Sequence, residues 1–254
     1  MARSFNGTTD KIDCGTGVTA PTPAVSISAW VYMTSLTPAY SSVYGRVNSA
    51  DFHSVHQILV KSTGHIGYFV AVVGVASFLV DPGTNAISTG SWHHVALTCN
   101  PSLGGPLTGF LDGLSDGTQS RAADTIGTSF GTNHTCIGFD DSAAGRNLGG
   151  RIADAAMWNV VLTAAEIKAL AVGARPNMIR PANLLHWLPL DGLQSPEPDL
   201  SGFANNGTLT GTTIAPGPPI MPFTPRWPQV NSLPLLGPAA GLGWIINRRN
   251  RLSG

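Results

Sequence analysis

The strongest constraint on this chain is a succession of short runs with two-residue periodicity, each closed by turn residues, through its first 160 positions. Val25 to Met33 is the clearest. Val25, Ile27, Ala29, Val31 and Met33 fall on one face, and small polar or aromatic residues alternate with them. That is the pattern of a strand with one face on a core. His56 to Lys61 is a second such run, ended by Ser62-Thr63-Gly64, and Trp92 to Cys99 is a third. Leu107 to Leu111 runs into Asp112-Gly113, a strong hairpin signal, and a partner strand follows through Asp116-Gly117. His134 to Phe139, Arg151 to Val160 and Leu184 to Leu190 continue the series. Ile66 to Val80 is broken by Gly67, Gly74 and Ser77. It falls short of the roughly 20 residues of a membrane-spanning helix and reads as two strands around Gly74. Short strands divided by turns pack as an antiparallel sandwich or barrel, not as a parallel sheet.

One helix interrupts the series. Thr163-Ala164-Ala165-Glu166 is a capping box, Ile167, Leu170 and Ala171 supply an apolar stripe, and Gly173 and Pro176 end it. From Ala215 the composition changes. Pro216, Pro218, Pro219, Pro222, Pro225, Pro228, Pro234 and Pro238 exclude regular strands and helices. The expected division is therefore a sandwich over residues 1–214 and an extended Pro-rich arm over 215–254. Phe223, Trp227 and Trp244 give that arm apolar surface that favours burial, and Arg248, Arg249 and Arg251 give it a basic end. Residues 1–199 hold ten Lys and Arg against fourteen Asp and Glu, a net −4, so the arm is expected to meet an acidic neighbour. Its charge is too weak for a nucleic-acid site. Leu233 to Ile246 is too short and too Pro-broken for a membrane span.

Six motifs in fixed order resemble the laminin G-like, pentraxin-like branch of the concanavalin A-like lectin and glucanase superfamily. They are Ser4-Phe5-Asn6-Gly7 with Asp10-Lys11-Ile12-Asp13, Val25 to Tyr32, Trp92-His93-His94-Val95-Ala96, Phe110-Leu111-Asp112-Gly113, Gly150 to Asp154 with Met157-Trp158, and Leu162-Thr163 with Ala165-Glu166-Ile167. The resemblance implies an all-β, two-sheet antiparallel jelly roll. Leu185 to Leu190 with Asp199-Leu200-Ser201-Gly202 resembles a segment that commonly opens such a domain but here comes last. It either closes the sandwich or begins a truncated second copy, and closure is the favoured reading.

Hydrolases of this superfamily place alternate carboxylates on one strand face as E-x-D-x-E, and this chain has no such run. Its two glutamates are Glu166, explained by capping, and Glu197, between two prolines. Asp140 and Asp141 are adjacent and would point apart on a strand. No enzymatic activity is expected. The seven histidines form no H-E-x-x-H motif, and the three cysteines, Cys14, Cys99 and Cys136, form no C-x-x-C pair. Structural histidines and buried thiols are the readings adopted. No cofactor is required. The resemblance does imply a calcium site on the sandwich rim, for which Asp199, Asn205, Asn206 and Asp154 are the candidate ligands. The competing reading is that Asp199 and the two asparagines simply make turns. For glycans or a partner, the long segment Ser35 to Val55 offers Tyr40, Tyr44, Arg46, Phe52 and His53 as a loop surface.

Only 11% of residues are charged, and Met1-Ala2-Arg3 runs into the first motif with no apolar leader. With the Pro-rich arm, these features lead to the expectation of a non-enzymatic virion protein, a bacteriophage capsid decoration or tail-associated component. Its partners would be other virion proteins, copies of itself and host surface glycans. The alternative is an extracellular or bacterial surface module for carbohydrate binding or adhesion, and a glycoside hydrolase ranks last.

Overall fold

The alternation of Val25–Met33 becomes the middle of an eight-stranded antiparallel sheet in the computed structural model, which describes residues 1–18, 24–47, 56–72, 75–80, 83–100, 106–119, 134–140, 145–192 and 194–220. The order in this first sheet is β10 (Leu114–Gln119), β9 (Leu107–Leu111), β8 (Trp92–Cys99), β3 (Val25–Met33), β12 (Gly149–Trp158), β1 (Ala2–Asn6) and β15 (Thr213–Ala215). β13 (Leu184–Leu188) also pairs with β12. The second sheet runs β14 (Thr208–Thr210), β2 (Lys11–Asp13), β11 (His134–Ile137), β4 (Tyr40–Val47), β5 (His56–Lys61), β6 (Ile66–Val72) and β7 (Val75–Val80). Ile27, Val31, Val95, Leu97 and Ile152 of the first sheet meet Ile12, Ile58, Val60, Ile66 and Ile137 of the second in one buried core. Each such side chain contributes about 1.5–3 kcal/mol of burial energy.

Local chemistry explains the turns. Asp112 and Gly113 both have positive φ, 50° and 79°, the twist a two-residue hairpin between β9 and β10 needs. Gly113 answers a second requirement, since a Cβ there would lie 3.1 Å from the Lys168 backbone. Lys168 belongs to α1 (Ala164–Ala171), whose capping box forms as the sequence predicts. The Thr163 hydroxyl accepts from Glu166 N at 3.3 Å, and the Glu166 carboxylate accepts from Thr163 N at 2.8 Å. Ile167 and Leu170 bury against Trp158, Trp187 and Phe110 on the first sheet's outer face. Among the described residues, no helix is long and apolar enough to cross a membrane.

Two expectations about the chain's course resolve here. The segment from Leu184 closes the sandwich, with β13 on β12, β14 on β2 and β15 on β1. The segment Ser35 to Val55 is not a continuous loop, because Tyr40–Val47 is β4, inside the second sheet. A β-bulge between Ser42 and Tyr44 hides this strand from periodicity, since it breaks the alternation. The first strand pair also extends further than the motifs suggest. Ala2 pairs with Ala215, and Ile220 packs against Ala2, Trp30 and Ala153. Contacts divide the chain into Met1–Met221 and Pro222–Gly254, and the second unit lies outside the described residues. Phe223, Trp227, Trp244, Arg248, Arg249 and Arg251 lie there too.

The histidines on β8 fall on opposite faces. His93 Nδ1 donates to the Asp112 carboxylate at 2.8 Å, while His94 is buried edge-on against Trp30 with ring centres 5.4 Å apart. Burial lowers the His94 pKa to about 4 against the opposing pull of Asp112. Burial and the Arg46 charge lower that of His56 to about 3. Both stay neutral in the folded chain while the unfolded chain takes up protons near pH 6.5. Stability is therefore full above pH 6.5 and falls as pH drops toward 4. Urea midpoints measured across this window should fall for the wild type and fall less for His94→Phe, by up to about 3 kcal/mol at the acid end. Parallel pH profiles for the two proteins would refute this assignment.

Candidate functional site

The outer face of the second sheet holds the best-formed surface site. Strand register places Tyr40 opposite Lys61 and Gly45 opposite Gln57. Beyond β11, backbone bonds continue along β4, with Gly138 N donating to Val43 O at 3.1 Å and Ser42 N to Arg146 O at 2.9 Å, and Leu148 N donates to Gly138 O at 2.9 Å. This pairing brings Asp140 and Arg146 to the face. Gln57 Nε2 donates to Asp140 Oδ2 at 3.0 Å and to Ser42 Oγ at 3.2 Å, and Arg146 Nη1 donates to the same Asp140 oxygen at 2.8 Å. Arg146 is thereby held with its guanidinium carbon 5.3 Å from the Tyr40 ring centre, and the Lys61 ammonium lies 5.7 Å from it. Tyr40 is 37% exposed, a partly open aromatic plate with two cations over its ring.

Beside that plate lies a hollow of about 390 Å³ lined by Ala39, Tyr40, Lys61, Ser62, Thr63 and His65. At the far flank of the same sheet a second hollow, about 490 Å³, is lined by Lys11, Asp13, Gly15, Asn206, Thr208 and Thr210 among others. Phe139 stands between the flanks, with the Lys11 ammonium 5.0 Å from its ring centre. An aromatic plate, cationic donors and hydroxyls suit a ligand with a flat apolar face and many oxygens.

The sequence picks out part of this site. Tyr40 lies on it, but Tyr44 and Arg46 point into the sandwich and are buried. The alternation of β4 after its bulge turns them inward, which corrects their assignment to a ligand-facing loop. Tyr44 Oη lies 3.0 Å from His186 Nδ1, joining the two sheets. Burial pushes the Tyr44 phenol well above its usual value and holds the His186 imidazole down, so the link is between neutral groups. Burial also lowers the Arg46 pKa to about 10. Phe52 and His53 lie outside the described residues. Lys61, Asp140, Arg146 and Gln57 were not found from sequence. No local pattern marks them, because tertiary pairing alone brings them together.

The rim residues gather around Trp187. Asp199 Oδ1 accepts from Trp187 N at 3.0 Å and Ser201 N at 2.9 Å, and its Oδ2 accepts from Asn205 N at 3.0 Å. Asn206 Oδ1 accepts from Asp199 N at 2.9 Å. Asp154 is separate, bound by Arg175 Nη1 at 2.9 Å and by Trp187 Nε1 at 3.0 Å. Burial acts to raise the Asp199 carboxyl, but the nearby His186 and the N–H donors hold it below its usual value. Burial pushes Asp154 up to about 6 against the opposing pull of Arg175 and Trp187. Calcium takes six to eight oxygens. Both Asp199 oxygens, both Asp154 oxygens and Asn206 Oδ1 already accept N–H bonds, and Asp154 is committed to Arg175, so as arranged these residues do not present that ligand set. The asparagines and Asp199 clamp a turn.

The two glutamates and three cysteines have structural places. Glu166 holds the helix cap and accepts from Arg180 Nε at 2.6 Å. Glu197 is buried against Arg3 Nε at 2.6 Å. Cys14, Cys99 and Cys136 are buried and free, and burial pushes the Cys99 thiol up to about 12.

A family model, Laminin_G_3, described as the concanavalin A-like lectin/glucanases superfamily, matches residues 6–168. No curated protein matches the sequence. Among solved structures, a candidate carbohydrate-binding protein from Bacteroides ovatus superposes with a TM-score of 0.58 at 18% identity, over 84% of this chain and 58% of that one. The heptameric SAP-like pentraxin of Limulus polyphemus gives 0.52 at 16% identity, over 67% of this chain and 81% of that one. Domain 4 of AbnA, a GH43 extracellular arabinanase of Geobacillus stearothermophilus, in complex with arabinotriose, gives 0.50 at 18% identity, over 67% and 76%. At these identities what is shared is the fold.

The turn clamp makes a measurable claim. Asp199→Ala leaves buried N–H donors without an acceptor and should lower stability by about 3 kcal/mol. The melting point of metal-free wild type should not move with calcium or chelator. A calcium-dependent rise that Asp199→Ala abolishes would overturn the clamp reading.

Proposed function

Because the chain belongs to the concanavalin A-like lectin/glucanase superfamily, we propose that it is a non-catalytic, glycan-binding module that recognises sugars on the outer face of the seven-stranded sheet. The observation that carries this reading is the open Tyr40 ring bracketed by Lys61 and Arg146 beside the hollow at Ser62, Thr63 and His65. A pyranose or furanose has an apolar face that stacks on such a ring, and its hydroxyls accept from flanking cations. A related fold in complex with arabinotriose supports the sugar class, as does the Bacteroides ovatus candidate.

Binding is favoured over hydrolysis on chemical grounds. Glycosidases place two carboxyl groups about 5–9.5 Å apart around the scissile bond. Both glutamates of this chain are held by arginines, and the Asp140 carboxylate beside the hollow is buried under Arg146 and Gln57. On a glycan panel, binding should appear without release of reducing ends. Tyr40→Ala should weaken it about tenfold or more with an unchanged melting point, as loss of a central aromatic contact does. Equal affinity of this variant and wild type would refute the site.

A second reading concerns where the module acts. The 11% charge content and the Pro-rich C-terminal sequence favour a virion component that binds neighbours through residues beyond the sandwich, with an extracellular or cell-surface module as the alternative. A chain ending at Met221 should keep the melting transition of the sandwich but lose self-association or attachment to particles. Unchanged assembly of that shortened chain would remove the support for this reading.

A further inference from the structure

The other outer face, on the first sheet, carries a second unassigned feature. Cross-strand register aligns Thr213 with Ser4, Ser4 with Arg151, Arg151 with Tyr32, and Tyr32 with Trp92. These five side chains form one row across β15, β1, β12, β3 and β8, spanning about 19 Å at the usual strand spacing. α1 packs elsewhere on this face, on Phe110, Trp158 and Trp187, and Ile220 packs on the neighbouring Ala2, Trp30 and Ala153, while the five side chains of the row are partly or fully exposed. Trp92 and Tyr32 are partly exposed, with ring centres 5.6 Å apart at 58°, and the Arg151 guanidinium carbon lies 4.6 Å from the Tyr32 ring centre.

The chemistry of the row is unsatisfied. Stacking uses the flat face of the Arg151 guanidinium and leaves its N–H edges outward. Among the described residues those edges have no hydrogen-bond or ion-pair partner, and neither do the Trp92 indole N–H nor the hydroxyls of Tyr32, Ser4 and Thr213. No acidic side chain stands in the row. The next row, Ala215, Ala2, Ala153, Trp30 and His94, has none either. The cation is therefore uncompensated, at the centre of two aromatic plates and two hydroxyls.

We propose that this row is a second binding site, independent of the Tyr40 face, for a carboxylate-bearing oligosaccharide. An unpaired guanidinium edge matches a carboxylate bidentately. Half-exposed aromatic faces beside it take sugar rings, and the hydroxyls at the β1 and β15 end meet the oxygens of the following units. An acidic peptide suits it less well, because extended peptides add to sheet edges, whereas this row crosses the middle of the sheet.

The test uses the full chain and tetragalacturonate as the probe, followed by calorimetry at low salt, with its fully methyl-esterified form as the neutral control. Tetragalacturonate should bind, and esterification or Arg151→Gln should weaken it about tenfold or more. Trp92→Ala should do the same, while Tyr40→Ala should leave this affinity unchanged. If Trp92→Ala lowers the melting point, Thr213→Val and Arg151→Gln carry the test, since both positions lie at the surface. No binding, wild-type affinity in Arg151→Gln, or loss in Tyr40→Ala instead would overturn the proposal. So would equal or tighter binding of a tetraglutamate peptide at the same row. Neutral-glycan binding lost only in Tyr40→Ala would leave the first site standing by itself, so the two sites fail separately.

Discussion

Trp187 ties the closing segment of this fold to β12 and to the helix-covered face of the first sheet. Its backbone N–H donates to Asp199 and its indole N–H to Asp154, while its ring buries among Trp158, Phe110 and Ile167. Asp154 reaches this position through its backbone. It has φ 48° at a break in the register of β12 with β3, and its N–H donates to Pro189 O at 3.0 Å. A non-glycine residue in that region is strained, and the surrounding structure has to hold it there. Arg175 and Trp187 do so from the side chain and Pro189 from the backbone. Arg3 and Glu197 make a second tie, between β1 and the closing segment. Both ties pair buried charges, so removing one partner costs more than the pair contributes.

Closure by these late strands frees both outer faces for other work. The two inner faces supply the main hydrophobic core. On the outer face of the first sheet, α1 buries Ile167 and Leu170 against Phe110, Trp158 and Trp187, Ile220 packs on Trp30, Ala2 and Ala153, and the Thr213-to-Trp92 row lies beside them. On the second sheet the segment carrying Phe139, Asp140 and Arg146 lies between two hollows. Each face thus combines a scaffold strand with an element from elsewhere in the chain. That arrangement holds aromatic rings and cations in place without loops that must be ordered on binding.

What the sequence showed depended on whether a signal was local. Val25–Met33, the Asp112-Gly113 hairpin and the Thr163–Glu166 box are written in adjacent residues, and the structure matches each. β4 escaped because its bulge puts Val43 and Tyr44 both in the interior, so two-residue counting fails at the strand that carries Tyr40. β14 and β15 are three residues each and exist only through pairing with β2 and β1, which no local pattern records. The site behaved likewise. Tyr40 is visible as an aromatic in a polar segment, whereas Arg146 reaches it from 106 positions away, through backbone pairing beside β4. For Asp199 and its asparagines, turn chemistry rather than metal ligation is what the geometry displays.

The same closure explains why this sandwich suits recognition better than chemistry. A catalytic carboxylate must sit at a cleft with its protonation free to change. In this chain the buried carboxylates of Asp154, Asp199 and Glu197 are the anchors of the closing segment, each fixed by N–H donors or an arginine. Drawing any of them into proton transfer would unpair a buried arginine or a set of buried backbone donors and destabilise the strands that complete both sheets. Among the described residues, Arg146 and Lys61 lie over the Tyr40 ring on one face and Arg151 over the Tyr32 ring on the other. Cations so placed suit the oxygen-rich ligands that we propose for the two faces.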